Sequence, residues 1–185
     1  MVQGFSSVSL RQAYRLLHPR PVVIVTTRHE DVGNAMAASW VTPVSFSPPL
    51  VAVSIAPERF THELIEKSGV FALNVPDEDL LWCVHYTGTV SGRDEDKLET
   101  LRRRGVRVSE GRKVKVPVIL DSLAVLECEV QKKVSAGDHT LFVGLVVESY
   151  AREDCFMKGL YVEGVSPLMH AGFDVYTLAG RRFRP

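Results

Sequence analysis

Four short stretches carry residues whose types and spacing suit chemistry. The first is "RFTHE", residues 59–63. Thr61 has the form of a helix N-cap, and a helix N-terminus presents free backbone N–H groups and the positive end of a dipole. Arg59 adds a permanent cation, so the stretch suits a phosphate; it also suits an ordinary capped helix. The second is "SGRDEDK", residues 91–97. Ser91 and Gly92 open a loop, Arg93 offers a fork of donors, and Lys97 follows about one helical turn later. A phosphate site fits here, and so does a helix start capped by Asp94. The third is "NAMAASW", residues 34–40. Small side chains at Ala35, Ala37 and Ala38 let a flat ligand reach the backbone, whose N–H and C=O groups become its polar contacts. Close strand packing in a tight barrel needs the same residues. The fourth is Gly137-Asp138-His139. A histidine at a strand end can donate a proton or hydrogen bond near neutral pH. Adjacent strand residues face opposite ways, so Asp138 reads as a turn former and not as the partner of His139.

Other chemistries find little support. The six histidines (18, 29, 62, 85, 139, 170) show no H-E-x-x-H and no tight spacing, so no metal site is expected. There is no G-x-S-x-G elbow, Walker loop or G-x-G-x-x-G. Cys83, beside Trp82 on a helical stretch, reads as core. Lysine plus arginine equals aspartate plus glutamate at 22 each, which argues against a nucleic-acid binder. Zero net charge also makes self-association a candidate for hiding sticky surface. No apolar run reaches the roughly 18 residues of a membrane span. No basic-then-apolar leader is seen at the start, and three separated cysteines suit a reducing interior. The expectation is a cytoplasmic protein that touches no membrane.

The elements that must position these residues are read next, as one domain over residues 1–185. "SLRQAYRLLHPRP" predicts a helix capped by Ser9, with Leu10, Tyr14 and Leu17 on one stripe and Pro19 and Pro21 as its stop. "PVVIVTTR", "AMAASWVTPVSF" and "PLVAVSIA" follow as extended stretches, the second broken at Pro43. "RFTHELIEKSG" predicts a short helix capped by Thr61 and stopped by Gly69. "VFALNVP" is a strand, and "DEDLLWCVHY" and "SGRDEDKLETLRRRG" predict two more helices. In "LAVLECEVQKKV", Leu126, Cys128 and Val130 face one way and Glu127, Glu129 and Gln131 the other, a half-buried strand. "HTLFVGLVVESY" is apolar on both faces and predicts a central strand or an interface. The tail "FDVYTLAGRRFRP" has room for one last short strand. Strands outnumber helices and short links join several of them, so the fold class is mainly β: a closed or nearly closed antiparallel barrel with flanking helices. A doubly wound parallel sheet fits poorly, because helices do not follow each strand.

Taken in order, "NAMAASWVTPVSFSPPLVAVSI", "THELIEKSGVFALNV", "SGRDEDKLE" and "GDHTLFVGLV" resemble the flavin reductase-like family of FMN-binding split-barrel proteins. That family includes flavin reductase components of two-component monooxygenases, flavoredoxins and archaeal ferric reductases. The resemblance runs from about "RPVVIVTT" to "HTLFVGLVVE" and is loose after Tyr161. It implies a six-stranded antiparallel Greek-key split β-barrel and a homodimer with FMN near the interface. It implies that Asn34, Ala35, Met36, Ala37 and Ala38, with Trp40 and Val41, lie along the flavin ring and ribityl chain. Ser54, Ile55 and Ala56 would be the strand end beside the flavin. Thr61 and His62, with Arg59, would hold the phosphate, and Ser91, Arg93 and Lys97 would complete that site. His139 would be the catalytic residue, near both flavin and nicotinamide. The implied function is an oxidoreductase that takes hydride from NAD(P)H onto flavin and passes electrons to free flavin, a ferric complex or a partner protein. The alternative is a flavin-binding electron-transfer or interaction module without its own NAD(P)H turnover.

Overall fold

The computed structural model describes residues 4–181 and 183; the start of the N-terminal stretch and the end of the tail lie outside them. Seven strands form the main sheet: β1 (Val23–His29), β2 (Val32–Ala38), β3 (Val41–Ser45), β4 (Leu50–Ile55), β5 (Val70–Val75), β6 (Ala124–Ala136) and β7 (His139–Ala151). Their spatial order is β2-β1-β5-β6-β7-β4-β3, and every neighbouring pair is antiparallel. Strands β5, β6 and β7 follow one another, and β4 returns to lie beside β7, which is a Greek key. The two edge strands, β2 and β3, are consecutive in sequence, with only Ser39 and Trp40 between them. Three Cα steps span at most about 11 Å, so the edges are held near each other and the sheet must roll.

The core confirms the rolling. Val23 and Val25 of β1 share one cluster with Val51, Val53 and Ile55 of β4, together with Phe71, Leu73, Cys128 and Phe142. In a flat sheet β1 and β4 stand four strand spacings apart, about 19 Å. Only a rolled sheet brings them into contact. The barrel also explains a difference from the sequence reading. "AMAASWVTPVSF" is two strands, not one, and the break falls at Ser39-Trp40, where the chain crosses the seam. Pro43 sits inside β3, an edge strand, where a missing N–H is tolerated. This crossing makes the count seven where six were expected.

The thirteen-residue strands β6 and β7 are joined by the turn Gly137-Asp138, with Gly137 at φ 63°. β7 is central, as expected. Phe142 is fully buried on its inner face, while Leu141, Val143 and Leu145 on the other face are half-buried. A side chain at Gly144 would come within 2.6 Å of Phe71 Cζ, so glycine is required there.

Three α-helices flank the barrel: α1 (Phe60–Ser68), α2 (Leu81–Thr89) and α3 (Lys97–Arg103). Helix α1 stops at Gly69, which adopts the left-handed conformation at φ 70° as the sequence implies. Its cap position is Arg59, not Thr61, and Thr61 lies in the first turn. Helix α3 is capped by Asp96, whose carboxylate accepts from Glu99 N at 3.0 Å, and not by Asp94. The N-terminal helix is a 3-10 helix, Leu10–Leu17, and Ser9 makes no side-chain cap bond. Its stripe buries nothing on this chain: Leu10 is 91% exposed and Leu17 69%. The tail supplies its short strand, Val175–Leu178, in a hairpin with Leu168–Gly172 that pairs with Arg20–Pro21. Among the described residues no helix is long and apolar enough to cross a membrane.

One expected outward residue is deeply buried. Glu127 alternates with apolar neighbours, yet it is 0% exposed because residues 111–116 fold over that face. Its carboxylate accepts from the backbone N–H groups of Arg112 (2.6 Å), Lys113 (2.7 Å) and Val114 (2.9 Å), and from Tyr150 OH (3.0 Å). Burial works against the charge, but the three N–H donors and Tyr150 overrule it and hold the pKa below the ordinary carboxylate value. Glu127→Ala takes the acceptor from three backbone N–H groups and Tyr150 OH and is expected to destabilise the fold by about 3 kcal/mol in urea unfolding at pH 7. A depressed folded pKa gives stability that is present above the unfolded value and lost as pH falls through the folded one. The gap between wild type and Glu127→Ala is therefore expected to narrow under acid; a gap independent of pH contradicts a charged Glu127.

Candidate functional site

A cavity of about 400 Å3 opens at the barrel seam. That volume lies within the roughly 300–1,000 Å3 range of small-molecule sites. The seam itself supplies one wall. Asn34, Met36, Ala37 and Ala38 come from β2, Ser39 and Trp40 from the crossing, and Ser54, Ile55 and Ala56 from the end of β4. Trp40 C=O accepts from Ser54 N at 2.9 Å, which ties the crossing to β4. The opposite wall is the N-terminus of α1, the C-terminus of α2 with the loop after it, and Lys97 at the start of α3. His139 closes one end from the tip of the β6–β7 hairpin.

The end beside α1 is polar and positive. Arg59 stands exposed at the helix N-terminus, where Thr61, Ser91 and Lys97 join it. Thr61 is fully buried and its hydroxyl accepts from Asn34 Nδ2 at 2.9 Å. Lys97 is buried, and its Nζ donates to Thr87 O and Val90 O, both at 3.1 Å. These carbonyls end α2, so the lysine caps that helix from below. Burial first, and then the charge of Arg59, bring its pKa down to about 8. It remains mainly protonated at neutral pH, with one N–H uncommitted. Glu58 also lines this end and was not anticipated.

The cavity lining also has an aromatic part. The Trp40 and His139 rings stack with centroids 4.7 Å apart and 27° between planes. His139 Nδ1 lies 2.7 Å from Asp138 Oδ1. This corrects the reading of Asp138 as a turn former only. Asp138 is in the turn and not on the strand, so strand alternation does not separate the two side chains. The ionised carboxylate only accepts, so Nδ1 carries the proton and the imidazole keeps Nε2 for other contacts. The hydrogen bond from His139 holds Asp138 below its ordinary pKa.

Thirteen of the expected site residues line the cavity: Asn34, Met36, Ala37, Ala38, Trp40, Ser54, Ile55, Ala56, Arg59, Thr61, Ser91, Lys97 and His139. Four do not. Ala35 is fully buried on β2 in a core cluster with Ile24, Val84 and Leu98. Val41 lies past the crossing and packs against the barrel core. His62 is buried between α1 and the barrel, with Nε2 2.9 Å from Thr140 Oγ1 and its ring edge-on to Phe142; burial lowers its pKa. Arg93 pairs with Glu63 at 2.8 Å and lies over the Phe60 ring. That carboxylate also takes Lys67 at 2.7 Å, and the bonds from Lys67 and Arg93 bring its pKa to about 2. The sequence reading missed Ser39, Phe60 and the run Thr87–Val90. A signal was present: a glycine, Gly88, stands in the last turn of α2, and a side chain there would press on Ala37 Cβ at 3.3 Å.

With this geometry in view, comparison with known proteins is informative. A flavin reductase-like domain model matches residues 14–177. The chain belongs to the flavin reductase-like family. It is 43% identical to a protein of Pyrococcus abyssi over 148 residues, 80% of this chain and 83% of that one. Among solved structures, an FMN-binding protein from Thermus thermophilus, with 1-cyclohex-2-enone bound, is similar at TM-score 0.86 and 30% identity over 99% of both chains. Flavoredoxin from Methanosarcina acetivorans shares the fold at TM-score 0.85 and 24% identity, over 98% of this chain and 95% of its own. The architecture is thus the mainly β FMN-binding split barrel with flanking helices.

The polar end is packed without slack. A side chain at Gly92 would collide with Asn34 Oδ1. Gly92→Ala is expected to push Asn34 off Thr61 and cost about 2 kcal/mol in urea unfolding. An unchanged midpoint would show that the 87–92 loop yields freely.

Proposed function

We propose that this chain binds FMN in the seam cavity and acts as an NAD(P)H-dependent flavoprotein oxidoreductase, passing electrons to free flavin, a ferric complex or a partner protein. The observation that carries this reading is one cavity whose lining combines cations and a helix N-terminus with a Trp40–His139 stack. Family membership and the likeness to the FMN-binding protein of Thermus thermophilus support the same ligand. The residues present fit it. Arg59, Thr61, Ser91 and the free N–H of Lys97 suit a phosphate. Ala37 and Ala38 carry no bulk to keep a flat ring from the backbone. When bound, FMN supplies hydride acceptance and onward electron transfer.

The protein's own task is position and electrostatics. The backbone N–H groups of Ala37 and Ala38 would lie along the bound ring and would stabilise negative charge gained there on reduction. His139, its tautomer set by Asp138, offers Nε2 to orient a nicotinamide stacked at the open end. The reading includes a homodimer with the cavity near its interface, supported by the apolar side chains of Leu10, Leu16, Leu17 and Phe46 left exposed on the single chain. It also includes a reducing compartment, supported by the free, buried thiols of Cys83, Cys128 and Cys155.

Two measurements test it. Arg59→Ala is expected to weaken FMN roughly fivefold, about 1 kcal/mol, and to leave riboflavin unchanged, since only FMN carries phosphate; flavin fluorescence titration reads both. Equal weakening of the two ligands sinks the phosphate assignment. His139→Ala is expected to keep FMN bound while slowing anaerobic single-turnover reduction by NADH or NADPH roughly tenfold or more. If wild type holds FMN that neither nucleotide reduces, the protein is the electron-transfer module and not the reductase.

A further inference from the structure

His62 is a buried polar side chain, 7% exposed, and it does not line the slot. It belongs to the first turn of α1, where its N–H donates to Arg59 O at 3.0 Å. Its ring lies edge-on to Phe142, with centroids 4.9 Å apart, and Nε2 is 2.9 Å from Thr140 Oγ1. Burial lowers its pKa, so at neutral pH the ring brings a hydrogen bond and no charge. A position filled only for packing suits leucine or phenylalanine, because a buried imidazole costs desolvation unless its polar atoms are met.

Thr140 is the second residue of β7, directly after His139. The two side chains part ways, as neighbours on a strand do. His139 turns its ring to Trp40 and the slot, and Thr140 turns its hydroxyl to His62. The grip of His62 therefore sits behind the residue that faces the slot. Asp138, which also bonds His139, is 92% exposed on the turn and makes a loose anchor. A short path results. Arg59, in the slot wall, is bonded to the His62 N–H; the His62 ring is bonded to Thr140; Thr140 is joined to His139.

We propose that His62 is a positioning residue: through Thr140 it makes the grip on the flavin phosphate at the start of α1 set the placement of His139. The inference rests on the flavin reading of the cavity. Binding energy gained at the phosphate, away from the reacting ring, then goes into placing the histidine that meets the nicotinamide. Riboflavin occupies the same slot without a phosphate and leaves His139 to its loose anchor.

Anaerobic single-turnover reduction by NADH or NADPH, with FMN or riboflavin at saturation, tests this in wild type, Thr140→Val and Thr140→Ser. Wild type is expected to reduce bound FMN roughly tenfold faster than bound riboflavin. Thr140→Val keeps the shape and loses the hydroxyl; it is expected to slow FMN roughly tenfold, leaving riboflavin reduction and FMN affinity unchanged. Thr140→Ser is expected to keep the wild-type ratio, and in a His139→Ala chain Thr140→Val is expected to change nothing further. Equal rates for the two flavins in wild type overturn the coupling. A Thr140→Val chain that slows both flavins alike shows His62 to be packing only. The His139 ring signals in proton–nitrogen correlation spectra give a readout without turnover. They are expected to differ between the FMN and riboflavin complexes of wild type and to coincide in those of Thr140→Val; coincidence in wild type overturns the inference. A chain whose bound FMN neither nucleotide reduces, yet whose His139 signals tell the two flavins apart, refutes the reductase reading and not this one.

Discussion

Ser39 and Trp40 join the two edges of the main sheet, and a link of that length leaves the sheet one way to finish. Its edges must approach, yet β2 and β3 share no ladder. The result is a barrel held shut by hydrophobic contact across its interior and open along one line. An open edge is normally a liability, because its unpaired N–H and C=O groups invite another strand. Here the line is lined by alanines, flanked by Trp40, and walled opposite by three helix termini. The seam becomes a slot for a flat molecule and not for a strand.

The helix termini follow from the same constraint. The chain leaves β4 at one side of the slot and must cross the barrel to start β5, and α1 is that crossing. Its N-terminus therefore faces the slot by topology. The α2–α3 segment fills the long connection from β5 to β6 and presses its own ends against β2. Asn34, Thr61 and Gly92 interlock β2 with the two connections that follow β4 and β5, and Lys97 ties down the second of these. An anion placed there meets groups fixed by the fold, which lowers the entropy lost on binding.

Much of this was legible in the residues. The alternation of β6, the apolar run of β7, the Gly69 stop and the turn at Gly137-Asp138 all follow from local chemistry. The seam residues were legible too, because small side chains at Ala37 and Ala38 leave the backbone open to a flat ligand, and both line the cavity. What was not legible came from contacts distant in sequence. Arg93 reads as a phosphate ligand until Glu63, thirty residues away, is seen to hold it. Glu127 reads as solvent-facing until the 111–116 loop folds over it. Asp138 was misread because the rule for strands was applied to a turn. The crossing at Ser39-Trp40 was hidden since an extended link and an extended strand have the same local preferences.

Lys97 has a consequence beyond charge. Two of its three N–H groups hold down the end of α2, and the side chain also lines the slot, with a third N–H left over. An anion taking that third position draws the ammonium away from neutralisation and secures the helix end at the same time. Occupancy and local order are then one equilibrium, so the melting temperature becomes a gauge of ligand concentration: a hundredfold excess over the dissociation constant is worth about 2.7 kcal/mol.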